Sequence, residues 1–313
     1  MSSRIVEIEN VGIATDAIRV FILNTDGRYC AWDAGAHIRV SVPDGGDRCY
    51  SLLALSELSK SQWAIGVLRE DGGSGGSLFM HALKKGDILS VEGPYNNFPL
   101  HSGPEPAVLF AGGIGITPIF SMAAHLAEKK NEFVLHYAGK TRKSLAFIRE
   151  LELICANSLR IHCDDDDSAL RIADALEASR RNAYIYTCGP AGMIEAVRAQ
   201  ATMLGWASDR IKSELFENEA TEGENEEFEV EIHSTGQVIR VGKNQSIIDA
   251  LEDAGLDPLY DCRRGDCGIC QCGVVSGIPL HRDLILTDEE KASNKVMQIC
   301  VSRAVTPRLV LDI

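Results

Sequence analysis

Five cysteines crowd the end of the chain. "YDCRRGDCGICQCG" supplies Cys262, Cys267, Cys270 and Cys272, and "MQICVSRA" adds Cys300. Cys262, Cys267 and Cys270 are spaced C-x4-C-x2-C, and Cys300 follows 30 positions after Cys270. That is the ligand spacing of a plant-type [2Fe–2S] cluster, whose thiolates would be these four residues. Gly265 and Gly268 let the loop backbone come close to inorganic sulfides and offer N–H donors to them. Cys272 does not fit the spacing and is expected to pack at the start of a strand. A structural zinc site is the alternative, but zinc modules usually show paired C-x2-C knuckles, and only one such pair is present here. The single Cys30, Cys49, Cys155 and Cys163 read as small core or surface residues.

Four further stretches group residues that could bind or react. "RCYS" holds Arg48, Tyr50 and Ser51. A guanidinium pairs with phosphate, an aromatic face stacks on a planar ring, and a hydroxyl can bond a ring nitrogen. "GGSGGS", Gly72 to Ser77, precedes a helical stretch "SLFMHAL". It is either a flexible hairpin or a set of backbone amides at a helix start, where anions bind. "AGGIGITP", Ala111 to Pro118, follows a strand and opens a helix. Its glycines allow a tight turn against a pyrophosphate. "TCGP", Thr187 to Pro190, ends a later strand before another helix.

Placing these residues takes more than one domain. With 313 residues, and ~100–200 residues per domain, two or three are expected. Residues 1–103 read as short strands separated by turn signals such as Asp26-Gly27, which suggests a closed antiparallel barrel. From Pro104 the pattern alternates. "AVLFAGG", "EFVLHYAG", "LRIHC" and "AYIYTCG" read as buried strands. "TPIFSMAAHLAEKK", beginning at Thr117 and Pro118, "SLAFIRELELICA", "RIADALEAS" and "AGMIEAVRAQATMLG" read as helices. That is a parallel sheet with crossover helices, over residues 104–217. Glu217 to Glu231 carries eight Glu and no Lys or Arg. Residues 218–227 are read as a solvated acidic linker. A third unit, 228–313, opens with the hairpin "EFEVEIHSTGQVIRVG", continues through the helix "SIIDALEDAG", and ends on "RLVLDI".

The net charge of −14 argues against nucleic-acid binding, which needs clustered Lys and Arg. "MSSRIVEIEN" has no apolar leader. The longest uncharged run, Pro106 to Ala124, is broken by prolines and glycines, so no membrane span is expected. The reading is a cytoplasmic protein.

With "HRDLILTDEE" and "QICVSRA", residues 228–313 resemble the ferredoxin domain of the phthalate dioxygenase reductase family. These proteins are the reductase components of Rieske-type oxygenases, vanillate O-demethylase reductases among them, and order their domains as flavin, NAD, ferredoxin. The resemblance implies a multidomain chain: an antiparallel β-barrel flavin domain, an α/β parallel-sheet nucleotide domain, and an α+β β-grasp plant-type ferredoxin domain. It implies that Arg48, Tyr50, Ser51 and Val67, with Ser74, Gly75, Gly76 and Ser77, bind FMN rather than FAD. The family loop reads R-G-G-S, so Ser74 stands where an Arg is expected and one positive charge is missing. It also implies that Gly112, Gly113, Gly115 and Thr117 bind NADH, with Thr117 close to the flavin and nicotinamide. Cys188, Gly189 and Pro190 would line the nicotinamide site, and Phe216 would cover the flavin ring. NADH is favoured over NADPH because "CDDDD", Cys163 to Asp167, would repel an extra phosphate. Lys140, Arg142 and Lys143 argue the other way.

The function so implied is electron transfer from NADH through FMN and [2Fe–2S] to a partner oxygenase that hydroxylates or demethylates its substrate. Ser51, Thr117 and Cys188 are the expected reaction-site residues. Two alternatives stand beside it: the same relay serving a di-iron monooxygenase or a P450, and a non-catalytic module that has lost a cofactor.

Overall fold

A computed structural model describes residues 3–27, 31–43, 46–73, 75–216, 225–265, 267–283 and 285–313. The chain divides into two compact units, Met1–Phe216 and Glu217–Ile313.

In the first unit, β1 (Arg4–Ile13), β2 (Ile18–Asn24), β3 (His37–Val42), β4 (Gly46–Ser51), β5 (Gln62–Leu68) and, after α1 (Gly76–Ala82), β6 (Ile88–Tyr95) form an antiparallel sheet ordered β4-β3-β6-β1-β2-β5. Alternating apolar residues, among them Val6, Ile8, Phe21, Ile38 and Trp63, fill its interior. The ends of the order meet. Leu52 bridges Ile65, and Leu53 N–H donates to the Ala64 carbonyl at 2.9 Å, so the sheet closes into a barrel.

The same unit continues with β7 (Ala107–Gly112), α2 (Ile116–Lys129), β8 (Phe133–Gly139), α3 (Ile148–Cys155), β9 (Leu159–Cys163), α4 (Ile172–Glu177), β10 (Tyr184–Cys188), α5 (Ala191–Met203) and β11 (Ile211–Glu214). The strands are all parallel, ordered β11-β10-β7-β8-β9. Every residue of β7 is buried, as a strand covered on both faces requires. Three details differ from the sequence reading. α2 begins at Ile116, because Gly113–Gly115 already forms a helical turn, and the Thr117 hydroxyl donates to the Ile114 carbonyl at 3.1 Å instead of capping. α3 begins only at Ile148, because Phe147 sits at φ 61° and breaks the helix there. β11 adds a fifth strand that the short sequence "IKSE" does not advertise.

Barrel and parallel sheet are stitched together. The Ser121 hydroxyl, on α2, donates to the Leu52 carbonyl at 2.5 Å and accepts from Ala54 N–H at 3.1 Å. The Tyr186 hydroxyl accepts from His101 N–H at 2.7 Å.

The second unit contains β12 (Phe228–Ile232), β13 (Val238–Val241), α6 (Ile247–Asp253), β14 (Gln271–Ser276), β15 (Pro279–Leu280), α7 (Asp288–Ser293), β16 (Val296–Gln298), β17 (Arg303–Ala304) and β18 (Arg308–Asp312). Its mixed sheet runs β13-β12-β18-β14-β16, with β12 and β18 parallel. Ser246 and Asp249 form a capping box that starts α6, and the helix packs Ile248 and Leu251 on the sheet core. This is the β-grasp arrangement. Most of the acidic stretch lies outside the described residues. Its end is anchored: Arg282 donates to Asn225 Oδ1 at 2.7 Å, and Arg303 to the Glu226 carbonyl at 3.0 Å.

Candidate functional site

In the second unit the structure brings Cys262, Cys267, Cys270 and Cys300 together. Cys270 Sγ lies 3.1 Å from Cys300 Sγ, and the Cys262 thiol is in hydrogen-bonding contact with both Cys267 and Cys300. Sharing protons with Cys262 pushes the thiols of Cys267 and Cys300 up, while the hydrogen bond from Cys300 pulls Cys270 down. Four convergent sulfurs form a soft donor set whose protons leave on metal binding. The loop is pressed close around them. Gly265 and Gly268 both sit at φ 78°, and a Cβ on Gly265 would lie 2.6 Å from Val301 Cγ2. The Arg264 N–H already donates to Cys262 Sγ at 3.2 Å. These four cysteines fit a [2Fe–2S] cluster, which they would hold through their sulfurs. Cys272 is left outside. It pairs across the sheet with Met297, packs on the core, and is pushed up to about 12 by burial.

In the first unit two turns meet. β7 ends in Gly112 and β10 ends in Cys188, which is in register with Ala111. A Cβ on Gly112 would lie 2.7 Å from Pro190 Cδ. One on Gly115 would lie 2.2 Å from the Cys188 carbonyl oxygen, and one on Gly189 2.7 Å from Met193 Cε. No side chain fits at these three positions. Gly113, at φ 54°, turns the chain towards a cavity of about 960 Å³. Gly112, Gly113, Pro190 and Met193 line one part of it, and Lys140 and Asp164, following the ends of β8 and β9, line another. A crevice at strand C-termini on either side of a central strand is where an open parallel sheet binds a nucleotide.

The barrel side adjoins this turn. Thr117 and Ser51 are buried, and a Cβ on Gly66 would lie 3.0 Å from the Thr117 methyl. Phe216 packs half-buried against the core that contains Cys188 and Ile116. On β4, Arg48 lies across Gly76, where a Cβ would meet its Nε at 2.6 Å. Gly75, at φ 89°, leads into α1. Burial pushes the Tyr50 phenol up to about 12, so it stays protonated. A guanidinium over a side-chain-free turn, with a tyrosine two residues on, fits a phosphate-bearing aromatic cofactor such as FMN.

Two expected contacts are placed differently. Val67 faces the barrel interior, because strand alternation puts Gly66, not Val67, on the Thr117 side. Its carbonyl is taken by the His81 ring at 3.0 Å. The Ser77 hydroxyl closes the hairpin, accepting from Glu70 N–H at 3.1 Å and donating to the Glu70 carbonyl at 3.3 Å. Ser74 lies outside the described residues.

Sequence reasoning passed over three residues at these sites. The Tyr137 hydroxyl donates to the Gly113 carbonyl at 3.2 Å and accepts from Ala146 N–H at 3.0 Å, tying the glycine turn to the next loop. A tyrosine in the apolar run of a strand was the available signal, since a buried hydroxyl must find partners. Glu214, 2% exposed, sits on β11 in register with Cys188. Gln298 is buried beside Cys270.

Comparison with known proteins agrees with this geometry. A family described as "Oxidoreductase NAD-binding domain" matches residues 109–199, and one described as "2Fe-2S iron-sulfur cluster binding domain" matches residues 230–305. The chain is similar to the vanillate O-demethylase oxidoreductase of Pseudomonas sp. (strain HR199 / DSM 7063), at 39% identity over 308 residues and 96% of each chain. It superposes on phthalate dioxygenase reductase with a TM-score of 0.75 at 32% identity, covering 100% of this chain and 98% of that one. It also matches part of an intact type IV self-sufficient cytochrome P450 monooxygenase, with a TM-score of 0.74 at 31% identity. That match covers 99% of this chain and 41% of the longer one. The chain therefore belongs to the phthalate dioxygenase reductase family, and is an oxidoreductase with an NAD-binding domain and a [2Fe–2S] domain.

Proposed function

We propose that this chain draws electrons from NADH and delivers them one at a time to a separate Rieske-type oxygenase in the cytoplasm. Bound FMN and [2Fe–2S] supply the change from a two-electron hydride to single electrons. The observation that carries the reading is the convergence of four thiols in a chain that also builds a nucleotide crevice. Names of similar proteins, vanillate O-demethylase oxidoreductase and phthalate dioxygenase reductase, support an oxygenase as acceptor.

The work of the protein is placement; it needs no general acid or base. Residues 1–103 hold FMN, 104–217 hold NADH, and 228–313 hold the cluster beyond the acidic linker 218–227. Arg48, Gly75 and Gly76 receive the flavin phosphate, with Ser77 fixing the loop and Ser74 contributing no charge. Tyr50 lies against the flavin ring. Gly112, Gly113 and Gly115 receive the pyrophosphate, and Gly189 and Pro190 shape the nicotinamide end. Ser51, Thr117 and Cys188 fix the point where nicotinamide and flavin meet, and Phe216 covers that point when no nucleotide is bound. Asp164 on the cavity wall favours ribose hydroxyls over an added phosphate, hence NADH.

A second reading keeps the relay and changes the acceptor to a P450, on the likeness to the self-sufficient P450 monooxygenase.

Anaerobic NADH titration tests the relay, followed by visible absorption and low-temperature EPR, with the released flavin identified by chromatography. Sequential bleaching of the flavin and a rhombic [2Fe–2S] signal, with FMN released, is the expected result. Bleaching with neither a cluster signal nor bound iron sinks it. Electron delivery to a purified Rieske oxygenase, set against a P450, separates the two acceptors.

A further inference from the structure

Gln298 is fully buried between two of the four cysteines. Its backbone carbonyl accepts from Ser302 N–H at 3.0 Å, closing the turn that carries Cys300. Its side chain reaches the other way. Oε1 lies 3.4 Å from Cys270 Sγ and accepts from that thiol, while Nε2 donates to Gln271 Oε1 at 2.9 Å.

This arrangement holds only while Cys270 keeps its proton. A ligating cysteine is a thiolate and has no proton to give. The Gln298 oxygen would then face a buried anion, acceptor against acceptor, and a buried polar group without a partner is costly. The amide resolves the conflict by exchanging its ends, since its oxygen and nitrogen occupy nearly the same volume. Its neighbour permits the exchange. Gln271 is exposed, so its own amide can turn and donate to the Gln298 oxygen.

We propose that Gln298 donates a side-chain N–H to the Cys270 ligand and thereby raises the reduction potential of the bound cluster. The proposal rests on the reading of the four cysteines as cluster ligands. Hydrogen bonds to ligand sulfur stabilise the reduced, more negative state. The backbone amides of the cysteine loop come with its glycines in any sequence of this spacing. A side-chain donor from β16 does not, so Gln298 is a means by which this chain sets its own potential. It acts through Cys270 and is a positioning residue.

The test compares the full-length holoprotein with Gln298→Met, similar in volume but without a donor, and Gln298→Glu, an acceptor when ionised. Iron content is measured first, then the midpoint potential by EPR-monitored redox titration. Both variants are expected to show a more negative midpoint, Glu more than Met. At the wild-type midpoint potential the reduced fraction then falls well below one half. Reduction of the flavin by NADH stays unchanged. A cluster-loaded Met variant with the wild-type midpoint overturns the proposal. Pulsed EPR on reduced wild-type protein labelled with side-chain ¹⁵N-glutamine covers the case in which the variants fail to load. A coupled ¹⁵N is expected, and its absence overturns the proposal as well. Wild-type protein with no [2Fe–2S] signal at all would instead sink the underlying reading of the cysteines.

Discussion

Gly115 and Cys188 touch backbone to backbone: a Cβ on Gly115 would sit 2.2 Å from the Cys188 carbonyl oxygen and 2.6 Å from Gly189 N. One follows the end of β7 and the other ends β10, adjacent strands of one sheet, so neither can yield freely. Gly115→Ala is expected to cost at least ~1–3 kcal/mol in the stability of the first unit. It should slow flavin reduction by NADH roughly ten-fold or more, a misplacement effect, with iron content unchanged. Stopped-flow reduction and thermal unfolding together check this, and wild-type kinetics would refute it.

The shared hydroxyl of Tyr137 leads to a subtler expectation. Tyr137→Phe leaves the Gly113 carbonyl and the Ala146 N–H without their partner. A loss of ~1 kcal/mol in holding the glycine turn corresponds to a roughly five-fold weaker apparent affinity for NADH. The rate at saturating NADH should be preserved, because the nicotinamide end is untouched. The NADH dependence of flavin reduction separates the two quantities.

The cysteines predict opposite outcomes at two positions only two residues apart. Cys270→Ser is expected to abolish electron delivery to an external protein while NADH still reduces the flavin. Cys272→Ser should keep the full cluster signal, since Cys272 packs on the sheet beside Met297. Iron analysis and EPR on both variants decide the matter. Loss of the signal in Cys272→Ser would make that residue a ligand.

His136 gives the first unit an acid-sensitive point. It stacks on Phe110 and lies 3.0 Å from the His162 ring nitrogen, and burial pushes its pKa from 6.5 down to about 4. The unfolded chain takes up this proton from pH 6.5 downwards while the folded chain resists it. The contribution is therefore complete above pH 6.5 and is lost as pH falls towards 4, with a size on the order of 3 kcal/mol. Denaturant melts at pH 7 and pH 4.5 should show a smaller acid loss in His136→Gln than in wild type. Equal losses would contradict the assignment.

Much of this arrangement is readable in the sequence. Alternating apolar residues give the barrel, continuous apolar runs give β7 and β8, and the glycine and cysteine spacings mark the sites. What is hidden has physical causes. Phe147 adopts a left-handed conformation that its residue type disfavours, so the late start of α3 has no local signal. β11 is an edge strand of four residues whose "IKSE" holds a single apolar residue, too little for any period to register. Val67 and Gly66 are neighbours on β5, but the two-residue period of a strand sends them to opposite faces. Tyr137 and Gly113 are 24 residues apart, and Ser121 and Leu52 are 69 apart. Pairs at such distances come from topology, which periodicity does not specify.

Ser121 also bears on how such a chain can be recombined. Its hydroxyl closes two hydrogen bonds with the strand end that follows Ser51. A crossover near residue 103 that joined this barrel to a foreign nucleotide lobe lacking the serine would leave the Leu52 carbonyl and the Ala54 amide without this partner, just beyond the buried Ser51. A crossover within 217–224 cuts none of these bonds and keeps Met1–Phe216 whole. In inheritance and in engineering alike, the hydride-handling part is then exchanged as one piece and the iron–sulfur part as another, although the cofactors number three.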